Sequence, residues 1–433
     1  MASSAPGRGG GQPILRAGVA AAAVAVMLIV GVEPAAACYP RVFSFGDSLT
    51  DTGNFRFYYG NNSGEPALRP PYGETFFRRA TGRFSNGRLV LDFIGINYIR
   101  PSSLDRSIKL ASDTMGLPFV RPYLSGRRAE DFACGANFAV GGATALGPDF
   151  FRSRGFEIGD GRVHLDLEMK WFHDLLELLC RSGRSGCSDM MSQSLFIVGE
   201  IGGNDYNLPL LSRVPIEKIH SFTPSVVAKI SSTITELIGL GAKTLVVPGN
   251  LPIGCVPKYL LIFKSDDKED YEPETGCLRW MNEFSEYHNK LLLEELEKLR
   301  KLNPGVTIIY ADYYGAAMEI FHSPERFGIE EPLVACCGGE GPYGVSLSTA
   351  CGYGDYKVCD NPDKYGSWDG FHPSEAAYKA IALAFCEGHT HNHLLLPPPV
   401  PVHSSLSSAL LLNTSMVKDV MIWTILPDYR AAV

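Results

Sequence analysis

Four short apolar runs punctuate the chain, at residues 42–45, 195–198, 244–247 and 306–310. Each is a near-continuous block of branched and aromatic side chains, the pattern of a strand buried on both faces. Between these runs the period lengthens. Over residues 165–180, Leu165, Met169, Phe172, Leu176 and Leu179 fall on one side of a helix, and helical spacing also covers 226–240 and 280–302. Strands alternating with helices predict an α/β fold with a mostly parallel sheet covered on both faces. Ligands of such sheets gather at the carboxyl ends of the strands. No fixed-period repeat and no Pro/Gly/Ser linker interrupts residues 38–386, which read as one domain.

The two ends of the chain differ from this body. Arg8 and Arg16 precede an apolar run over residues 17–32, and Ala35, Ala36 and Ala37 follow before Cys38. Basic, apolar and small segments in that order predict a secretory signal peptide over residues 1–37, cut before Cys38 or Tyr39. The run falls short of the ~20 residues that a bilayer span needs. Beyond Cys386 the composition shifts to "HTHNHLLLPPPVPVHSSLSS" and then to an apolar stretch. Alternating His389, His391 and His393 read as a solvated loop rather than a metal tract. Lys418, Asp419, Asp428 and Arg430 argue against a membrane-anchoring tail. Residues 387–433 are therefore taken as a C-terminal extension of unknown role.

Composition narrows the function classes. The chain has 433 residues, 45% hydrophobic and 20% charged, with a formal net charge of −8 and no Lys/Arg block. That balance excludes a basic nucleic-acid-binding face. Eleven cysteines in a secreted chain predict several disulfides, with at least one thiol left without an intrachain partner. Metal-type C-x-x-C pairs are absent, and the neighbours Cys336 and Cys337 suggest two separate bridges. Asn61 and Asn413 lie in N-x-S/T triplets and are glycosylation candidates.

The candidate chemistry begins at "FSFGDSLTDTGN", residues 43–54. Ser48 stands on the corner after the first strand, where a hydroxyl projects past the sheet and its N–H can face an anion. The alternative is that Ser48 or Thr50 merely caps the next helix. A nucleophilic hydroxyl needs a base, and the base needs an orienting carboxylate. "SWDGFHPSEAAY" supplies Asp369 and His372 three apart, ahead of a helix that Pro373 can begin. Glu217/His220 and Glu319/His322 share the spacing but fall in or beside helices, where surface pairing explains them. Fixed donors for an oxyanion have two sources. One is "GANFAVGGATAL" with Gly141 and Gly142; the other is "LFIVGEIGGNDYN" with Asn204. Tight-turn glycines account equally well for either segment alone. The G-x-G-x-x-G at residues 339–344 lacks a strand-to-helix setting, and neither G-x-S-x-G nor H-E-x-x-H occurs.

Taken in order, these four segments resemble the plant GDSL esterase/lipase family of SGNH hydrolases, over roughly residues 39–385. Connecting stretches such as "GRFSNGRLVLDFI" and "GNLPIGCVP" share the likeness. The resemblance implies a flavodoxin-like three-layer α/β/α fold and a secreted serine esterase that needs no metal or organic cofactor. It implies Ser48 as nucleophile, Asp369 and His372 as its triad partners, and an oxyanion hole from Ser48 N–H, Gly142 N–H and the Asn204 side chain. The expected substrates are short-acyl or phenolic-acyl esters of plant metabolites or lipids, with no nucleic-acid partner and no membrane span after signal cleavage. An O-acetyl esterase or acyltransferase acting on wall polysaccharide, and a catalytically silent wall-binding protein, remain open.

Overall fold

The computed structural model describes residues 39–60, 63–98, 119–180 and 184–387. The expected signal-peptide segment, both glycosylation candidates and the C-terminal extension lie outside the described residues. Five parallel strands form the central sheet: β1 (Val42–Phe45), β2 (Gly135–Asn137), β3 (Leu195–Val198), β4 (Thr244–Pro248) and β5 (Thr307–Ala311). Their order is β2-β1-β3-β4-β5. The chain reverses its direction of winding beside β1, so the strand ends there border the crevice in which open α/β sheets bind ligands.

Side chains along a strand alternate between faces, and the two faces of this sheet carry two separate cores. Phe43, Phe45, Phe196, Val198, Leu245 and Val247 belong to one. Val42, Leu195, Ile197, Val246, Ile309 and Ala311 belong to the other. The helices include, in chain order, α1 (Asn54–Tyr59), α2 (Val90–Tyr98), α3 (Leu165–Leu179), α4 (Gly203–Leu211), α5 (Thr223–Gly239), α6 (Arg279–Leu302), α7 (Tyr313–His322) and α8 (Glu375–Glu387). α3, α5 and α6 cover the first face, and α2, α7 and α8 the second. The result is a three-layer α/β/α fold. Among the described residues no helix is long and apolar enough to cross a membrane.

A smaller unit carries the C-terminal half of the site. β6 (Glu331–Ala335) pairs in parallel with β9 (Tyr365–Ser367), while β7 (Cys337–Gly338) pairs with β8 (Lys357–Val358). The neighbouring cysteines do part company: Cys336 bridges Cys359 and Cys337 bridges Cys351. Among the described residues Cys180–Cys187 and Cys255–Cys277 are bridged as well, and Cys134 is a free thiol. Cys337 N–H donates to the Trp368 carbonyl at 2.7 Å, which ties the stapled hairpin to the loop ahead of α8. That helix starts at Glu375 rather than at Pro373. The Ser374 hydroxyl caps it by accepting from Ala377 N–H at 3.1 Å.

Phe172 on α3 shows how the first core is held. Fully buried, its ring meets those of Phe43, Phe45, Phe138 and Phe196, with centroids 5.3–6.0 Å away. Edge-to-face contacts of this kind add to the burial of a large apolar side chain. Phe172→Ala is expected to cost about 3–5 kcal/mol. The check is a urea titration, in which the midpoint falls while the slope is unchanged.

Candidate active site

The corner after β1 is shaped by close packing. Gly46 has φ +151°, and a Cβ there would lie 2.7 Å from the Glu200 carbonyl oxygen. Its N–H donates to Glu168 Oε2 at 2.9 Å. The chain then turns through Asp47, whose carbonyl accepts from Thr50 N–H and Asp51 N–H at 3.1 and 2.8 Å. The capping role that the sequence allowed to Ser48 or Thr50 falls to Asp51. Its carboxylate accepts from Gly53, Asn54 and Phe55 N–H at 2.7, 2.6 and 3.0 Å, ahead of and into α1. Ser48 is left with its hydroxyl free to face the loop before α8.

There it meets His372. Ser48 Oγ is 2.9 Å from Nε2, and Nδ1 is 2.7 Å from Asp369 Oδ2. Asp369 Oδ1 accepts from Phe371 and His372 N–H at 2.9 and 2.8 Å, fixing the carboxylate on its own loop. Tyr72 donates its hydroxyl to Asp369 Oδ2 at 2.8 Å. With Nδ1–H donated to the carboxylate, Nε2 is the acceptor that faces the serine. Burial alone would push the Asp369 carboxyl up, but the His372 ring and the two backbone donors outweigh it and hold it below its ordinary value. Burial likewise disfavours charge on the imidazole, and the adjoining Asp369 carboxylate reverses this, raising His372 above 6.5.

The opposite wall comes from the loops after β2 and β3. Gly142 has φ +80°, and a Cβ on it would lie 2.9 Å from the Arg162 guanidinium. Arg162 is pinned by donating to the Gly142 and Ile158 carbonyls, both at 2.9 Å. Among the described residues neither Ser48 N–H nor Gly142 N–H has a hydrogen-bond partner. Asn204 Nδ2 donates to Asp47 Oδ2 at 2.8 Å and to the Ala143 carbonyl at 3.0 Å. Burial raises Asp47 to about 7. Glu200 goes far higher, through burial and then the charge of Asp47, so of the two carboxyls Glu200 is the one that holds a proton more tightly. Asp47 Oδ2 is thus the side-chain acceptor that anchors the Asn204 amide.

Ser48, Gly142, Asn204 and His372 thus line one cleft of about 480 Å³, with Asp369 directly behind the imidazole. That volume falls in the ordinary range of small-molecule sites. Sequence reasoning missed Tyr72, Glu200, Glu65 and Arg162. Tyr72 lies 297 residues from Asp369, and no spacing signals such a pair. Glu200 did leave a trace, as a lone acid placed between glycines straight after a buried strand. The competing histidines turn elsewhere: His220 packs on Phe284 and Tyr287, and His322 pairs with Glu274.

A parallel sheet with a serine beyond one strand end, hydrogen-bonded in series to an imidazole and a carboxylate on the loop before α8, has the layout of an α/β/α hydrolase. Comparison with known proteins agrees. Residues 42–385 match the family described as GDSL-like Lipase/Acylhydrolase. A GDSL esterase/lipase of Arabidopsis thaliana is 45% identical over 361 residues, covering 83% of this chain and 87% of that protein. A second from the same plant is 43% identical over 84% of this chain and 87% of its own length. Sinapine esterase of Brassica napus is 40% identical over 84% of this chain and 89% of that protein. The chain belongs to the GDSL esterase/lipase family and is a carboxylic ester hydrolase.

Tyr72 offers a test of the electrostatics. Its hydroxyl stabilises negative charge on Asp369, so removing it leaves a more basic carboxylate that holds the imidazolium more firmly. Tyr72→Phe is expected to move the His372 titration to higher pH, followed by NMR of the ring protons. Loss of a hydrogen bond to a charged group is expected to cost about 1.5–3 kcal/mol of stability.

Proposed function

We propose that the protein is a secreted serine esterase in which Ser48 is the nucleophile, His372 the general acid and base, and Asp369 the group that orients it. The single observation that carries this reading is the unbroken series from Ser48 Oγ through both ring nitrogens of His372 to Asp369, with contacts of 2.9 and 2.7 Å. His372 Nε2 takes the hydroxyl proton as Ser48 Oγ attacks the ester carbonyl. The oxyanion accepts from Ser48 N–H, Gly142 N–H and Asn204 Nδ2. The Ala143 carbonyl that now shares the Asn204 amide is an uncharged acceptor, which a developing anion outcompetes. His372 then gives its proton to the departing alkoxide, and the alcohol leaves. Water, deprotonated by His372, attacks the acyl-enzyme and releases the acid.

Aromatic walls favour a compact phenolic or short acyl group over a long chain. Phe55, Tyr59, Phe84, Tyr259 and Phe371 line the same cleft as Ser48. The relative named sinapine esterase lends weight to the phenolic reading. Secretion is supported by the disulfides, which persist in oxidising compartments.

The test is hydrolysis of p-nitrophenyl acetate, butyrate and palmitate by the purified protein and its Ser48→Ala variant. Activity that is lost in the variant, with acetate or butyrate preferred to palmitate, is the expected result. Equal inactivity of both proteins, with no fluorophosphonate labelling of Ser48, would sink the proposal in favour of a silent binding protein. Activity needs neutral His372, whose pKa the adjoining Asp369 carboxylate raises above the ordinary histidine value, so kcat/KM is expected to fall as pH is lowered, starting above that ordinary value. Asn204→Ala is expected to lower kcat by about 10²–10³. Unchanged turnover would remove Asn204 from the oxyanion hole.

A further inference from the structure

The wall that holds Gly142 carries a charge that the mechanism does not use. Arg162 is half-buried, lies just ahead of α3 and lines the same cleft as Ser48. Its Nε donates to the Ile158 carbonyl and its Nη1 to the Gly142 carbonyl, both at 2.9 Å. Those bonds fix the plane of the group. Its other N–H groups have no acceptor among the described residues, although a guanidinium can present a fork of donors to one anion.

Among the described residues no carboxylate pairs with it. The acids of its own segment are committed elsewhere. Asp149, Glu157 and Asp160 pair with Arg152, Asp166 pairs with Lys229, and Glu168 accepts from Gly46 N–H. Asp47, Glu65 and Glu200 share the cleft lining, and none forms an ion pair with Arg162. The rest of this wall is aromatic. Phe55, Tyr59 and Phe84 line the cleft, and the Tyr59 hydroxyl reaches the carbonyl of Gly161, the residue before Arg162, at 3.3 Å. In surroundings of low polarity a guanidinium–carboxylate pair is stronger than in water.

The position of this charge selects one half of the ester. The departing alcohol takes its proton from His372, so it lies at the imidazole. The charges that act most strongly on that ring are those of Asp369, Asp47 and Glu65. Arg162 is tied instead to Gly142, whose N–H faces the oxyanion in the serine-esterase reading. The acyl half, which stays on Ser48, is the part within its reach. Resting on that reading, we infer that Arg162 is a recognition group for a carboxylate on the acyl half, a few bonds from the scissile carbonyl. The favoured substrates are then half-esters of short dicarboxylic acids.

The experiment compares monoethyl succinate with ethyl 4-methylpentanoate, the neutral isostere in which an isopropyl group replaces the carboxylate. Each turnover breaks the acyl C–O bond, consumes water and releases ethanol, a new carboxylate and its proton, so a pH-stat follows both substrates. Wild type should show the higher kcat/KM for the half-ester, and Arg162→Gln should lower the ratio of the two values about tenfold. Arg162→Lys keeps a charge but not the fork, and its ratio should fall as well. That variant carries the test if Arg162→Gln does not fold. A wild-type ratio at or below one, or a ratio unchanged in either variant, overturns the inference. An equal loss on both substrates would make Arg162 a brace for the Gly142 loop and overturns it too. Calorimetry with succinate alone reads the site without turnover. If p-nitrophenyl esters are hydrolysed but succinate does not bind and the half-ester is not preferred, the carboxylate site fails and the esterase stands. If succinate binds wild type but not Arg162→Gln while no ester is cleaved, the esterase fails and the site stands.

Discussion

One buried carboxylate sets the shape of the catalytic end of this molecule. Asp51 is fully enclosed and accepts four backbone N–H groups, three from its own turn and the fourth from Gly141 at 2.9 Å, on the loop after β2. It therefore locks the corner that carries Ser48 to the loop that carries Gly142. Neighbouring amides complete the stitching. Asn137 donates to the Thr50 carbonyl at 2.6 Å, and Asn54 donates to the carbonyls of Asn137 and Ala139 at 2.8 and 2.9 Å. Asp205 extends it to the segment after β3 by accepting from Ala145 and Leu146 N–H at 2.7 and 3.0 Å. With these neighbours tied down, Ser48 N–H and Gly142 N–H remain unpaired and fixed in position. Donors preorganised in this way stabilise developing charge without reorganising at the moment of reaction.

That arrangement has an energetic cost. Burial raises Asp51 from 3.8 to about 6 despite its donors. The rise corresponds to about 3 kcal/mol of charge burial left unrecovered. Because the folded pKa lies above the unfolded one, the penalty builds between those two values as pH rises and stays constant above them. Asp205, raised to about 7, and Asp47, also at about 7, add penalties of the same sign. The fold thus gives up stability near neutral pH to hold backbone donors at the strand ends. Such a concession belongs at functional sites, where local rules of burial are broken for geometry.

The sheet was far more legible than the site's supports. Residues 42–45 and 195–198 were bounded correctly because dense apolar runs end at polar or glycine breaks. The run at 306–310 shifted by one residue because pairing of Thr244 with Thr307 sets the register, and that is a tertiary contact. β2 left no apolar block to read. Its Gly135-Ala136-Asn137 segment is a strand because β1 supplies its hydrogen bonds. Helix α5 begins at Thr223, three residues before the apolar period shows, with Pro224 in its first turn. Ser48, Gly142, Asn204, Asp369 and His372 were nameable because each stands in a short motif. Tyr72, Glu65 and Arg162 were not, because their meaning arises only when distant segments fold onto one cleft.

This difference explains the disulfide-stapled unit at the C-terminal end. Ser48 is held by the central sheet, but His372 stands 324 residues away on a loop with no large sheet beneath it. Its backbone is carried by β9 and the Trp368 segment. Trp368 N–H donates to the His372 carbonyl at 2.8 Å, and Trp368 itself is fully buried. Cys336 and Cys337 donate to the Ser367 and Trp368 carbonyls at 3.0 and 2.7 Å, and both cysteines are anchored by bridges. Closing loops of this size restricts the unfolded chain and is worth about 3 kcal/mol for each bridge. The two bridges therefore reinforce a small separate core in which Cys336, Cys337, Cys351 and Trp368 pack with Tyr72 and Phe84. The Ser48–His372–Asp369 geometry is the product of two different solutions, buried carboxylates on the sheet side and covalent staples on the histidine side.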